Sequence, residues 1–256
     1  MKLSIIQPDT KWEDKNANFS ILDKMISELD SDTDLIILPE MFNTGFSMNT
    51  GDLGELRGGE TFEWMKSIAK NRLCGICGSY IVRSGRNFYN RWVFVAHDSK
   101  SRYYNKRHLF SMGGEHLKFC RGNKRITFSF RGVKIFPEVC YDLRFPVWSC
   151  NTDYYDLLIN TANWPEPRRD VWMTLLRARA LENQCYVAGA NRIGKDGLGI
   201  TYTGDSLIVN PRGETLALAE KNKECSITAE ISIPELKKFR KIFPVLKDND
   251  KFRLVL

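Results

Sequence analysis

Three residues with reactive side chains each follow directly on a strand-like run. Glu40 comes after LIILP, Lys106 after SRYYN and Cys140 after IFPEV. In layered α/β proteins the loops beyond the carboxyl ends of strands converge, so a carboxylate, an amine and a thiol placed there can meet in one pocket. Each also has a plainer reading: Glu40 as a cap after a strand, Lys106 as a surface lysine of NKRH, Cys140 as a packed core thiol. Cys140 differs from an ordinary core thiol because it opens YDLRFPVWS. A helical start there would bring backbone N–H groups near the sulfur, a setting that lowers a thiol pKa and favours a nucleophile. Carboxylate and ammonium neighbours can then activate the thiol in place of imidazole. The imidazole alternative is poorly supplied, since His97 reads as strand and His108 and His116 share one loop.

The other thiols point elsewhere. Cys74 and Cys77 in LCGICGSYIV have a redox or zinc spacing, but they sit in a β-rich apolar run. Residues three apart in a strand face opposite ways, so two packed thiols is the better reading. Seven cysteines is an odd number, which argues for free thiols rather than a disulfide framework.

The elements that must position these groups can be read from periodicity. Strands are expected at residues 2–7 and in DLIILPE, GICGSYIV, NRWVFVAH, KSRYYNK, ITFSF, VKIFPEV, YDLLIN, CYVAGAN, DSLIVN and SITAEI. Leu22, Met25, Ile26 and Leu29 mark a helix at 15–29, and TFEWMKSIAKNR, RRDVWMTLLRARALEN and PELKKFRKIF read as helices. Turns are expected at Ser84-Gly85, Arg131-Gly132 and Pro211-Arg212-Gly213. The longest stretches without structure are 39–58, 107–124 and 192–203. Helices alternating with strands and hairpins predict an α/β fold of mixed sheets covered by helices, in a single domain over 1–256.

Bulk properties narrow the classes. A chain of 256 residues with 43% apolar residues can bury a large core. No apolar run approaches the roughly 18 residues of a membrane span, and MKLSIIQPDT reads as a first strand rather than a signal peptide. Cytoplasm is the expected compartment. The formal charge of +7 is scattered among acids, as in KWEDKNAN, EPRRDVW and KDNDKFR. Solvated surface charge is therefore expected, and no nucleic-acid partner.

LPEMFNTGF, YNKRHLF and VCYDLRFP resemble the glutamate, lysine and cysteine motifs of the nitrilase, or carbon–nitrogen hydrolase, superfamily. NTANWP, RARALENQCYVAGANR and GDSLIVNPRGE resemble further segments of that family, so the likeness spans nearly the whole chain. Within the family it looks most similar to omega-amidases, which hydrolyse the terminal amide of short 2-oxo acid amides. The resemblance implies a four-layer α-β-β-α sandwich with no cofactor and no metal. It implies Cys140 as nucleophile, Glu40 as general base, and Lys106 with the backbone N–H of Tyr141 as oxyanion stabilisers. Glu115 matches a second glutamate that orients the lysine, although the loop SMGGEHLKF is short and an exposed loop acid is its plainer reading. Arg144, four residues past the cysteine, matches a position that holds a substrate carboxylate in related amidohydrolases; its plainer reading is a helix-surface arginine paired with Asp142 or another acid. Trp164 would line the pocket or pack beside its proline, and Phe42 and Phe46 would be pocket walls or loop anchors.

The partners implied are a small-molecule amide and a second copy of the chain. The helix at 167–184 and the tail 243–256 are the candidate homodimer elements. Other family substrates are deaminated glutathione, an N-carbamoyl amino acid or a nitrile. From another class, a catalytically idle binding protein would use the same pocket.

Overall fold

The computed structural model describes residues 1–255. Its first strands are β1 (Lys2–Gln7), β2 (Leu35–Ile37), β3 (Gly75–Ser84), β4 (Asn87–Ala96) and β5 (Ser101–Asn105). Next come β6 (Phe128–Phe130), β7 (Val133–Val139), β8 (Leu157–Thr161) and β9 (Tyr186–Ala190). The last are β10 (Ile193–Lys195), β11 (Thr201–Thr203), β12 (Leu207–Val209), β13 (Thr215–Leu218) and β14 (Cys225–Glu230). They form two six-stranded sheets, ordered β14-β1-β2-β3-β4-β5 and β13-β12-β9-β8-β7-β6, beside a β10-β11 hairpin. Both large sheets are mixed. β1, β2 and β3 run parallel, as do β7, β8 and β9, with antiparallel strands outside them.

Side-chain alternation explains the layering. In β2, Leu35 and Ile37 enter the core shared with the second sheet, while Ile36 packs on the other side with Leu22, Met25, Met65 and Ala69. Those four belong to helices Lys15–Ser27 and Glu60–Arg72, which cover the first sheet. Asp14 caps the first of them by accepting a hydrogen bond from the Ala17 N–H at 3.0 Å. On the far side, Trp172, Leu176 and Ala180 of helix Arg169–Asn183 cover β9 and β12. Gly189 in β9 permits that approach, because a Cβ there would stand 2.5 Å from Leu176 Cδ1. The expected α-β-β-α sandwich is the architecture observed.

Several local expectations are corrected. The stretch 192–203 is not structureless: β10 and β11 pair there as an antiparallel hairpin. Thr50–Leu53 forms one helical turn inside 39–58, and Ser111–Gly113 and Glu115–Lys118 form two more inside 107–124. The turn at 211–213 joins β12 to β13, an unanticipated strand. SITAEI instead crosses to the first sheet as β14, antiparallel to β1. His97 lies in the turn after β4 rather than in the strand. The CxxC expectation is met, since Cys77 is buried between the sheets and Cys74 among the helix-side residues. Among the described residues no helix is long and apolar enough to cross a membrane.

Candidate active site

Glu40 lies just past β2, Lys106 directly follows β5, and Cys140 directly follows β7. Two of these strands belong to the first sheet and one to the second, so packing of the sheets brings the groups together. Lys106 Nζ donates to Glu40 Oε1 at 2.8 Å and to Glu115 Oε2 at 2.9 Å. All three side chains are fully buried. Asn90, in the middle of β4, donates its amide to Glu40 Oε1 at 2.7 Å and to Glu115 Oε1 at 3.0 Å. Ser79 O–H in turn donates to Asn90 Oδ1 at 2.9 Å, which fixes the amide orientation. The other Glu40 oxygen, Oε2, accepts the backbone N–H of Asn163 at 2.9 Å, just beyond β8. Asn163 also meets the thiol, with Cys140 Sγ 3.9 Å from its carbonyl oxygen. Cys140 occupies the left-handed region at φ 47° and begins the 3₁₀ turn Cys140–Arg144. A non-glycine residue held there is a strained display of the side chain, a feature that collects at functional turns.

The electrostatics overturn one expectation. A helical start was expected to lower the Cys140 pKa, yet burial pushes the thiol well above its usual value. The Glu40 charge pushes it the same way, and Lys106 opposes only in part. A desolvated thiolate costs more than five residues of 3₁₀ turn can return. The resting thiol therefore needs a neighbouring base, and Glu40 is beside it. Burial alone would discharge Lys106, but the Glu115 and Glu40 carboxylates outweigh it and hold the ammonium on. Glu115 is itself pushed up, by burial first, with Lys106 pulling it back.

A cavity of about 340 Å³ opens onto this cluster. Glu40, Cys140 and Asn163 lie on its walls with Tyr141, Arg144, Trp164 and Arg168. Met112 and Leu198, at 83% and 71% exposure, stand at its mouth. Phe46 lines the cavity, and its ring centre is 5.3 Å from Lys106 Nζ. Phe42 does not line it, a correction to the sequence expectation. It is fully buried under the first sheet's helices, 5.7 Å from the Trp64 ring, because β3 crosses beneath it. Glu115, which could have been an exposed loop acid, is instead buried against Lys106. Arg144 forms no ion pair with Asp142. Its guanidinium lies 5.3 Å from the Trp164 ring centre.

Asp142 is occupied elsewhere, and its bonds hold the site's two halves together. Its Oδ2 accepts from Tyr104 O–H at 2.8 Å and from the Val139 N–H at 3.0 Å. Its Oδ1 accepts from the His108 N–H at 2.8 Å. One carboxylate thus joins the strand before Lys106, the loop after it and the turn of Cys140.

Sequence reasoning missed Asn90, Asn163 and Arg168. Asn163 lies within NTANWP, one of the segments that carry the family resemblance, so its signal is present in the sequence. Asn90 sits inside a strand-like run, and Arg168 inside EPRRD, which reads as balanced surface charge. Neither carries a local signal.

Residues 2–241 match the family model described as carbon-nitrogen hydrolase. The omega-amidase YafV of Escherichia coli K12 is 42% identical over 99% of this chain and 98% of its own length. The 2-oxoglutaramate amidase of Bacillus subtilis is 34% identical, covering 97% of each chain. Among solved structures, a CN-hydrolase superfamily protein of Xanthomonas campestris, with an arsenic adduct in its active site, superposes with a TM-score of 0.96 at 37% identity. That match covers 100% of this chain and 99% of the other.

Proposed function

The chain belongs to the carbon–nitrogen hydrolase family, and from that premise we propose that it is an omega-amidase, hydrolysing the terminal amide of a short 2-oxo acid amide to the 2-oxo acid and ammonia. The observation that carries the reading is the buried Glu40–Lys106–Glu115 cluster facing Cys140 at the floor of one cavity. In this reading Glu40 takes the Cys140 proton as the sulfur attacks the amide carbon. Lys106 and the Tyr141 backbone N–H stabilise the oxyanion of the tetrahedral intermediate. Glu40 returns its proton to the leaving nitrogen, ammonia departs, and a thioester remains on Cys140. Water then enters and attacks the thioester carbon as Glu40 accepts its proton; the C–S bond breaks, the free acid leaves, and Glu40 returns the proton to the Cys140 sulfur. Glu115 and Asn90 keep Lys106 and Glu40 in place through both halves. Arg144, on the cavity wall, takes the substrate carboxylate, for which a guanidinium fork is suited.

The reading includes a homodimer in the cytoplasm. It is supported by exposed Leu181, Leu216, Leu218, Ile242 and Phe243, which lie on helix Arg169–Asn183, on β13 and at the end of helix Ile233–Ile242. Seven free cysteines are in keeping with a reducing compartment. The decisive experiment is ammonia release from 2-oxoglutaramate, 2-oxosuccinamate and a panel of other short amides and nitriles. Wild type is expected to turn over the 2-oxo acid amides fastest, and Cys140→Ala to lose essentially all activity. Activity surviving in Cys140→Ala sinks the mechanism; absence of turnover on any 2-oxo acid amide sinks the substrate.

A further inference from the structure

The inference here rests on the omega-amidase reading and concerns what the outer part of its cavity recognises. In EPRRD, Glu166 pairs with Lys221 at 3.4 Å and Arg169 with Asp205 at 2.8 Å. Arg168, between them, has no ion-pair partner among the described residues and lines the cavity. Its guanidinium lies 5.3 Å from the Phe110 ring centre, as that of Arg144 lies 5.3 Å from Trp164. Trp164 Nε1–H donates to the Arg168 carbonyl at 2.7 Å, so the aromatic support of Arg144 is tied to the backbone of Arg168. A guanidinium resting on an aromatic face keeps its N–H edge available for planar acceptors. Besides Glu40, the acid lining the cavity is Asp196, and it is already engaged. Its Oδ1 accepts the N–H groups of Leu198 and Ile200 at 2.9 Å, and its Oδ2 accepts the Tyr202 O–H at 2.8 Å.

We propose that Arg168 is a specificity-determining residue that, with Arg144, forms a two-guanidinium clamp for a 2-oxo carboxylate and so selects amides of 2-oxo acids over amides of amino acids. A 2-oxo carboxylate presents three acceptor oxygens and no donor. One guanidinium fork satisfies a carboxylate, and a second is needed to reach the neighbouring oxo group as well. An amino acid amide offers an ammonium where the oxo group would be. Two unpaired cations repel that charge and are left with N–H groups it cannot satisfy. Discrimination against the amino acid amide of the same length is thereby built into the wall.

The test is steady-state kinetics on 2-oxoglutaramate, glutaramate (the same chain without the oxo group), L-glutamine and butyramide. Wild type is compared with Arg168→Gln and Arg168→Lys. Arg168→Gln is expected to raise KM for 2-oxoglutaramate by about 10- to 100-fold, the range for losing a charged hydrogen-bond partner. Its loss of kcat/KM on 2-oxoglutaramate should exceed that on butyramide by roughly tenfold, and preference over L-glutamine should shrink similarly. Arg168→Lys keeps the charge without the fork and is expected between the two. If Arg168→Gln does not fold, Arg168→Lys carries the same comparison against wild type. Equal losses on all four substrates, or an unchanged KM for 2-oxoglutaramate, overturn the proposal. Failure of the omega-amidase reading looks different: wild type itself would show no preference for 2-oxoglutaramate over butyramide.

Discussion

Lys106 sits at 1% exposure between two carboxylates, so the charge that the proposed mechanism uses is also a structural obligation. Lys106→Met is expected to abolish activity and to destabilise by about 3–5 kcal/mol, because Glu40 and Glu115 would face each other without a cation. Adding Glu115→Gln should restore part of the lost stability while activity stays absent, which urea unfolding and an ammonia assay can separate. A second buried acid, Glu138, lies two residues before Cys140 and accepts the Ser149 O–H at 2.5 Å. Burial, reinforced by the Asp142 charge, pushes its pKa up to about 7 from an ordinary 4.5. The unfolded chain releases this proton near 4.5 and the folded chain only near 7. Its contribution to stability is therefore complete below about 4.5 and is lost as pH rises through about 7, up to about 3 kcal/mol. Glu138→Gln should flatten that decline in thermal melts between pH 4.5 and 8; an unchanged slope would remove Glu138 as its source.

At the scale of elements, what matters is how strand ends are held in register with their loops. The 3₁₀ turn Cys140–Arg144 is pinned from inside by Asp142, which reaches Tyr104 in β5 and the backbone of His108. Asp142→Ala removes the partner of the Tyr104 O–H, the Val139 and His108 backbone N–H groups and the His108 ring nitrogen, and should cost about 2–4 kcal/mol, with kcat falling because Lys106 and Cys140 lose their shared anchor. A stable Asp142→Ala enzyme with wild-type kcat would deny that anchoring. The opposite strand is equally tight. A Cβ at Gly78 in β3 would stand 2.9 Å from Leu38 Cβ and 2.8 Å from Phe42, on either side of Glu40 in sequence. Gly78→Ala should therefore destabilise by about 1–3 kcal/mol through overpacking and slow turnover by displacing Glu40. Differential scanning calorimetry beside kinetics checks both effects.

At the scale of the molecule, the site is a product of two sheets closing on each other. Glu40, Lys106 and Asn90 come from the first sheet, and Cys140, Asn163 and Arg144 follow strands of the second. Activity should be lost in urea together with the global transition rather than ahead of it, since neither sheet carries a complete site. An earlier loss of activity would point to local opening of the turn. The exposed apolar side chains Leu181 and Phe243 belong to this scale too, and Leu181→Glu should shift the sedimentation of the protein from dimer to monomer. A wild type that sediments as a monomer would remove the dimer from the proposed function. The tail folds back on its own chain, with Leu254 packed against the main core. Leu256, the last residue of the tail proposed for the interface, lies outside the described residues.

The sequence by itself determined the layered architecture and the floor of the site. Period-two apolar strands and period-3.6 helices are local properties, and Glu40, Lys106 and Cys140 each stand where such a strand stops. Their motif contexts also marked the family. Tertiary structure decided what depends on distant partners. It turned Phe42 into core and brought Glu115 onto Lys106. It made Asn90 a bridge and aimed Arg168 into the cavity, while its neighbours in EPRRD found acids and bases elsewhere. It also reversed the expected direction of the Cys140 pKa, because desolvation and the Glu40 charge belong to the folded surroundings and not to the residues beside Cys140 in the chain. The cysteine and its turn were legible; the electrostatics around the thiol, and the placing of the side chains that share its cavity, were set by the closing of the two sheets.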